Sequence, residues 1–159
     1  MPRTITVTSS GSIKRPIEEV RQQFADVAYH AAAQVHAGVR FTVLTEDERA
    51  CRHRQVVTLL GQRQTDELVN TWAPDGSLRS EAVAGTNQGL RVLYRFAGGA
   101  SVTLVYVTFE IPVRGLKRWL GPVFRLVAQR ALRRAFDEDR RDLESGAYAR
   151  YRAQRLNAA

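Results

Sequence analysis

Residues 124–144 read FRLVAQRALRRAFDEDRRDLE, and at about 100° per residue this run sorts into two faces of one long helix. Phe124, Ala128, Ala131, Leu132, Ala135, Phe136 and Leu143 fall on one side, with Asp139 near the centre of the stripe. Arg130, Arg133, Arg134, Asp137, Arg140, Arg141 and Glu144 fall on the other. A helix of this kind lies on an apolar surface. An acid inside its stripe must be paired, protonated, bound to a metal, or placed at the wet end of a cavity. Asp139 is therefore the first candidate for a functional residue.

The preceding chain supplies the surface. Ile5, Val7, Ser9, Gly11 and Ile13 alternate with polar residues or threonine and predict a strand near a sheet edge. Lys14 to Pro16 opens a helix whose stripe is Ile17, Val20, Phe24 and Val27, with Glu18 and Glu19 at its positive end. Strands are then expected over Val39–Thr45, Ala50–Leu60, Arg63–Trp72, Leu78–Ala84, Leu90–Phe96 and Val102–Ile111, with Pro112 ending the sheet. Pro74-Asp75-Gly76, Ala84 to Gly89 and Gly98-Gly99 read as turns, so these six strands form an antiparallel meander. The expected fold is α+β: a curved seven-stranded antiparallel sheet wrapped around a long C-terminal helix. Leu90, Val92, Tyr94 and Phe96 should face inward, with Arg91 and Arg95 toward water. In the last strand Val105, Val107 and Phe109 are apolar on one side and Leu104 and Tyr106 on the other, which suggests cover on both faces.

The bulk properties narrow the function. A chain of 159 residues fits one domain, 1–159, with a single core. No apolar run reaches the roughly 20 residues needed to cross a bilayer, and a cytoplasmic location is expected. One cysteine, Cys51, excludes an internal disulfide or a cysteine-rich metal site, and reads as a small core residue. The net charge of +8 raises a nucleic-acid partner as a possibility to weigh. The arginines of the last helix, however, are interleaved with Asp137, Glu138, Asp142 and Glu144 at ion-pair spacing, which describes a solvated face. No nucleic-acid-binding motif accompanies them, and no nucleic-acid partner is expected.

The order strand, helix, six strands, helix resembles the helix-grip fold of the START-like (SRPBCC) superfamily, which includes polyketide cyclases and aromatases, lipid-transfer domains and the catalytic domains of Rieske-type oxygenases. The resemblance runs from Thr4 to about Tyr148. It implies an apolar cavity between sheet and terminal helix for a hydrophobic or aromatic small molecule, with Asp139 facing it. A second, local resemblance lies in Asp26-Val27-Ala28-Tyr29-His30-Ala31-Ala32-Ala33-Gln34-Val35-His36, which is similar to the iron-binding segment of Rieske-type oxygenases. That likeness implies His30, His36 and Asp139 as ligands of a non-haem iron or another divalent metal, with Asp26 orienting a histidine. Oxygenation would then need an external electron donor. Residues six apart on an unbroken helix point about 120° from each other, so joint chelation by His30 and His36 requires the helix to end or unwind between them. Ala31 to Ala33 favour helix, whereas Gly38 permits an end nearby.

Taken without the resemblance, Asp26 and His30 also read as a partly exposed helix pair with His36 at a helix end, or His30 and Asp139 as a metal-free acid/base pair. His53, between Arg52 and Arg54, reads as a surface histidine. Asp66, Glu67, Glu81 and Glu110 lie on strands and are further acid/base candidates. Arg114 to Trp119 reads as a lid or interaction segment. No nucleophile elbow, phosphate loop or dinucleotide fingerprint is present in the sequence. Two classes of function remain: an enzyme acting on an aromatic or polyketide-like molecule, with Asp139, His30 and Asp26 as candidate catalytic residues and with or without metal, and a non-catalytic carrier of hydrophobic ligands or lipids.

Overall fold

A computed structural model describes residues 3–59, 61–113 and 121–158. Strands β1 (Arg3–Ile13), β2 (Val39–Glu46), β3 (Ala50–Leu59), β4 (Gln62–Trp72), β5 (Leu78–Gly85), β6 (Arg91–Gly98) and β7 (Thr103–Val113) form one antiparallel sheet in the order β1-β7-β6-β5-β4-β3-β2. Helices α1 (Ile17–Ala25) and α2 (Val27–Ala33) bridge β1 to β2, and α3 (Gly121–Glu144) and α4 (Ala147–Ala158) close the chain. This α+β architecture, a curved antiparallel sheet around α3, is the one the hydrophobic pattern predicts. Bulges between Val43 and Thr45 in β2 and between Glu67 and Leu68 in the β4/β5 pair add local twist, which helps the sheet wrap round α3.

The core lies between the concave face and α3. Val7 and Ile13 of β1, Leu68, Ala82, Leu90, Val92, Val105 and Val107 meet Leu132, Phe136 and Leu143 of α3. Helix α3 sits closest to β1, and Gly11 makes that approach possible: a Cβ at position 11 would come within 2.5 Å of the Phe136 ring. Burial of Leu132, Phe136, Asp139 and Leu143 at spacings of three and four residues bears out the C-terminal part of the predicted stripe, acid included, while Phe124, Ala128 and Ala135 are half-buried and Ala131 is exposed.

Three local expectations change. Pro112 does not end the sheet. It continues β7 opposite Thr4, because β6 stops at Arg91 opposite Glu110 and leaves no ladder on that side for proline to break. The last strand is covered on one face only: Leu104 and Tyr106 are exposed at 43% and 48%. The single N-terminal helix is two, and the long terminal helix breaks at Ser145-Gly146, where Gly146 takes φ +76° and its N–H bonds the Leu143 carbonyl. Arg15 completes that end by donating to the carbonyls of Leu143 and Glu144. Helix α4 then returns Tyr148 to pack against Tyr29 at a ring separation of 4.8 Å. The segment Arg114 to Trp119 lies outside the described residues. Among the described residues no helix is long and apolar enough to cross a membrane.

Candidate functional site

Asp26 divides the N-terminal helix. Its backbone leaves the helical region (φ −80°, ψ 80°), and its Oδ1 accepts the Tyr29 N–H at 2.8 Å, so it closes α1 and caps α2. The Tyr148 hydroxyl donates to Oδ2 at 3.2 Å and ties this break to α4. Helix α2 ends at Gln34, a non-glycine residue in the left-handed region (φ 50°, ψ 47°). That reversal turns the chain so that His36 comes back beside His30, with ring centroids 5.2 Å apart and planes 23° from parallel. The condition for joint chelation is met by a left-handed helix end.

Asp139 reaches the same point from α3. His30 Nε2 lies 3.1 Å from Asp139 Oδ1, and His36 Nε2 lies 3.5 Å from it. One nitrogen or oxygen from each of the three residues falls within 4.8 Å of the other two. All three residues are buried, at 7%, 8% and 6% exposure. The pairing is not with an arginine: among the described residues, Asp139 Oδ1 faces the two imidazoles and accepts a hydrogen bond from Gln23 Nε2 at 3.1 Å.

The outer nitrogens decide the tautomers. His30 Nδ1 donates to the Asp26 carbonyl at 2.8 Å, since a carbonyl can only accept. His36 Nδ1 donates to Glu138 Oε2 at 3.1 Å, and Arg134 holds the other oxygen of Glu138 at 3.0 Å. In neutral rings both Nε2 atoms then carry bare lone pairs, directed with a carboxylate oxygen at one place. Three acceptors converging in a buried space need a donor or a cation between them, and a proton on a ring or one metal ion would serve. Burial opposes charging His30, but its hydrogen bond to Asp139 and the Asp139 charge outweigh that, so its proton affinity is raised above the ordinary value. The donor set also fits a metal. Two donors each ~2.1 Å from one ion and about 100° apart lie roughly 3.2 Å from each other, close to the two separations to Asp139.

Asp26 thus touches the centre through its backbone carbonyl, while its carboxylate caps α2. Contact between a carboxylate and a ligand-type histidine falls instead to Glu138, the neighbour of Asp139 in sequence. The partly exposed Asp26/His30 pair is not formed, because His30 is buried and faces α3.

The centre opens into a cavity with two lobes. The smaller, about 100 Å³, is bounded by His30, His36 and Asp139 on one side and by His53, Asn70 and Ser80 on the sheet. The larger, about 210 Å³, runs along α3 past Phe124, Ala128, Leu132 and Ala135 and is mostly apolar. His36, Phe41, Gln55, Leu90, Tyr94 and Phe109 border both. Phe41 stands within 6.0 Å, centroid to centroid, of the His30, His36 and His53 rings. Burial, with the Asp139 charge adding to it, pushes the Tyr94 phenol well above its ordinary range, so it remains a hydrogen-bond donor.

His53 is not a surface residue. It is 3% exposed, and burial lowers its pKa to about 4. Strand alternation carried the signal: His53 is in phase with buried Cys51, and the flanking Arg52 and Arg54 point outward to Glu67. Tyr94, Asn70 and Gln23 are further site residues that pattern reading assigned to the core or passed over. Glu67 and Glu81 pair with surface arginines, and Glu110 is exposed. Asp66 is buried but committed to Asn87, whose N–H and side-chain amide it accepts at 2.6 and 2.7 Å. Burial pushes the Cys51 thiol up to about 11, which keeps it an inert core group.

No protein-family model matches the chain, and no curated protein does. Solved structures do. Zhui aromatase/cyclase from a Streptomyces species superposes with a TM-score of 0.80 at 14% identity, covering 91% of this chain and 96% of that one. A START superfamily protein from Mycobacterium smegmatis gives 0.68 at 16% identity, covering 88% and 94%. Norcoclaurine synthase from Thalictrum flavum, solved with dopamine and hydroxybenzaldehyde, gives 0.66 at 8% identity, covering 89% and 87%. At these identities the likeness is one of architecture, and in architecture the chain has the START-like helix-grip fold seen in aromatase/cyclases.

Proposed function

We propose that this protein is a metal-dependent enzyme acting on an apolar, aromatic-sized molecule held between the sheet and α3. The observation that carries the reading is the convergence of His30 Nε2, His36 Nε2 and a carboxylate oxygen of Asp139 in a buried space, with both imidazoles turned by their Nδ1 partners to present lone pairs inward. Two histidines and one carboxylate suit a divalent transition metal such as iron, and a metal held by only three side chains supplies Lewis acidity with coordination positions left for a substrate oxygen. Around it the chain's own groups have definite tasks. Gln23 holds Asp139, Glu138 holds His36, and the Asp26 carbonyl holds His30. The Tyr94 phenol, protonated beside Asp139, is placed to donate to a polar atom of the substrate. The apolar lobe along α3 excludes water and takes the hydrocarbon body of the substrate.

The test is metal analysis by mass spectrometry of protein purified anaerobically without a metal-binding tag. Near-stoichiometric iron or another transition metal is expected in the wild type, with loss of nearly all of it in each of His30→Ala, His36→Ala and Asp139→Ala. A wild type that carries no metal and takes up neither added iron(II) nor cobalt(II) would overturn the proposal. The imidazoles would then be satisfied by protons, and the cavity would be that of a carrier or a metal-free cyclase.

A further inference from the structure

The sheet side of the smaller lobe carries polar groups that the metal centre does not use. His53 lies on β3, and Asn70 on β4 is its diagonal neighbour, since the register pairs Cys51 with Asn70 and His53 with Leu68. Ser80 on β5 lies directly opposite Asn70. All three border the cavity that His30, His36 and Asp139 close from the other side. His53 is more than nine-tenths buried, and neither its Nδ1 nor Asn70 Oδ1 makes a well-formed hydrogen bond among the described residues, the Cys51 carbonyl offering the His53 ring only a weak contact. Leaving such atoms unmet is destabilising, and a sheet whose neighbouring concave positions hold Leu68, Ala82, Leu90 and Val92 could have placed apolar residues there without that penalty.

We propose that His53 and Asn70 form a recognition site for a hydroxyl group of the ligand, so that the molecule bound in this cavity is an apolar ring system bearing a hydroxyl directed at the sheet. The chemistry narrows the group. Burial keeps His53 neutral near pH 7, so its Nδ1 presents either one N–H or one lone pair, whereas Asn70 Oδ1 can only accept. A hydroxyl complements both: it accepts from Nδ1–H while donating to the Asn70 oxygen. A methyl group of the same size leaves both unmet. Size agrees, because the smaller lobe holds little more than a head group while the larger lobe beside it is mostly apolar. The site specifies the ligand of the proposed enzyme and rests on that reading for its role in turnover, but it is testable without turnover or metal.

The probes are 2-naphthol and 2-methylnaphthalene, which differ by hydroxyl against methyl, titrated into protein stripped of metal with a chelator. The quantity read is the ratio of their dissociation constants. The expected result is that His53→Phe and Asn70→Leu each shift this ratio by about tenfold or more against 2-naphthol, with thermal unfolding confirming that the variant read is folded. Either variant alone suffices if the other fails to fold. An unchanged ratio in a folded variant overturns the site, as does failure of the wild type to bind either probe. A hydroxyl preference present only in metal-loaded protein also overturns it, since the hydroxyl would then bind the metal. Metal content, measured separately, reports on the metal centre alone, so the two readings fail independently.

Discussion

Glu138 and Asp139 are adjacent on α3, yet the structure gives them different work: Asp139 faces both Nε2 atoms, and Glu138 takes the Nδ1–H of His36. A carboxylate behind a ligating histidine fixes the ring and raises its basicity, and such partners are typically worth about 10–100-fold in metal affinity. Glu138→Gln keeps the size and an acceptor oxygen but removes the charge. Calorimetric titration with cobalt(II) is expected to show affinity lowered by roughly tenfold or more, with little change in thermal stability. Affinity equal to wild type would mean that His36 is held by packing alone. His53 makes a second prediction, in acid. Its folded pKa of about 4 lies below the ordinary 6.5, so between these values the unfolded chain binds a proton that the folded chain refuses. Stability attributable to His53 is therefore present above pH 6.5 and falls as the pH drops toward 4, by at most about 3 kcal/mol. Urea unfolding of wild type and His53→Phe at pH 7 and pH 4.5 should show a smaller acid loss in the variant. Equal losses would count against a buried neutral imidazole.

Between residues 26 and 36 the chain makes two turns that bring the histidines together, and only part of this was legible. Asp26 before a helical run is a capping residue by type. Its placement as the break between two helices is reinforced by Tyr148, which arrives from the other end of the chain and which no local window contains. Ala31 to Ala33 point to continued helix, and nothing about Gln34 announces a left-handed conformation that non-glycine residues adopt at a cost of about 1–3 kcal/mol. Such a cost persists where the surroundings impose it, here to return His36 to His30. Gln34→Gly should retain metal and fold with equal or slightly higher stability. Gln34→Val, β-branched in the same conformation, should lower the thermal midpoint and weaken cobalt(II) binding. Equal behaviour of the two variants would mean that this helix end is not strained.

For the molecule as a whole, strand alternation and turn residues are enough to predict the six-strand antiparallel meander and the helix lying against it, because both depend on local periodicity, whereas the pairing of β1 with β7 is long-range. Asp139 was legible for the same reason: an acid in an apolar stripe is conspicuous. His53 is less legible, because the flanking Arg52 and Arg54 suggest a solvated strand while its phase with buried Cys51 places it inside. The outer face of β7 is not legible either, because apolar residues such as Leu104 and Tyr106 also occur singly on exposed surfaces. The division of the cavity into a smaller lobe of mixed lining and a larger apolar one is not legible in sequence, since it depends on register across β3, β4 and β5 and on how close α3 approaches the sheet. The central claim is that the three converging groups hold a metal ion. The most direct measurement is an anomalous difference map from crystals of the protein loaded with cobalt(II) or iron(II), recorded at the metal's absorption edge. One strong peak bonded to His30 Nε2, His36 Nε2 and Asp139 at about 2.0–2.2 Å is predicted. No peak there, with His30 and Asp139 still in direct hydrogen-bond contact, would contradict it.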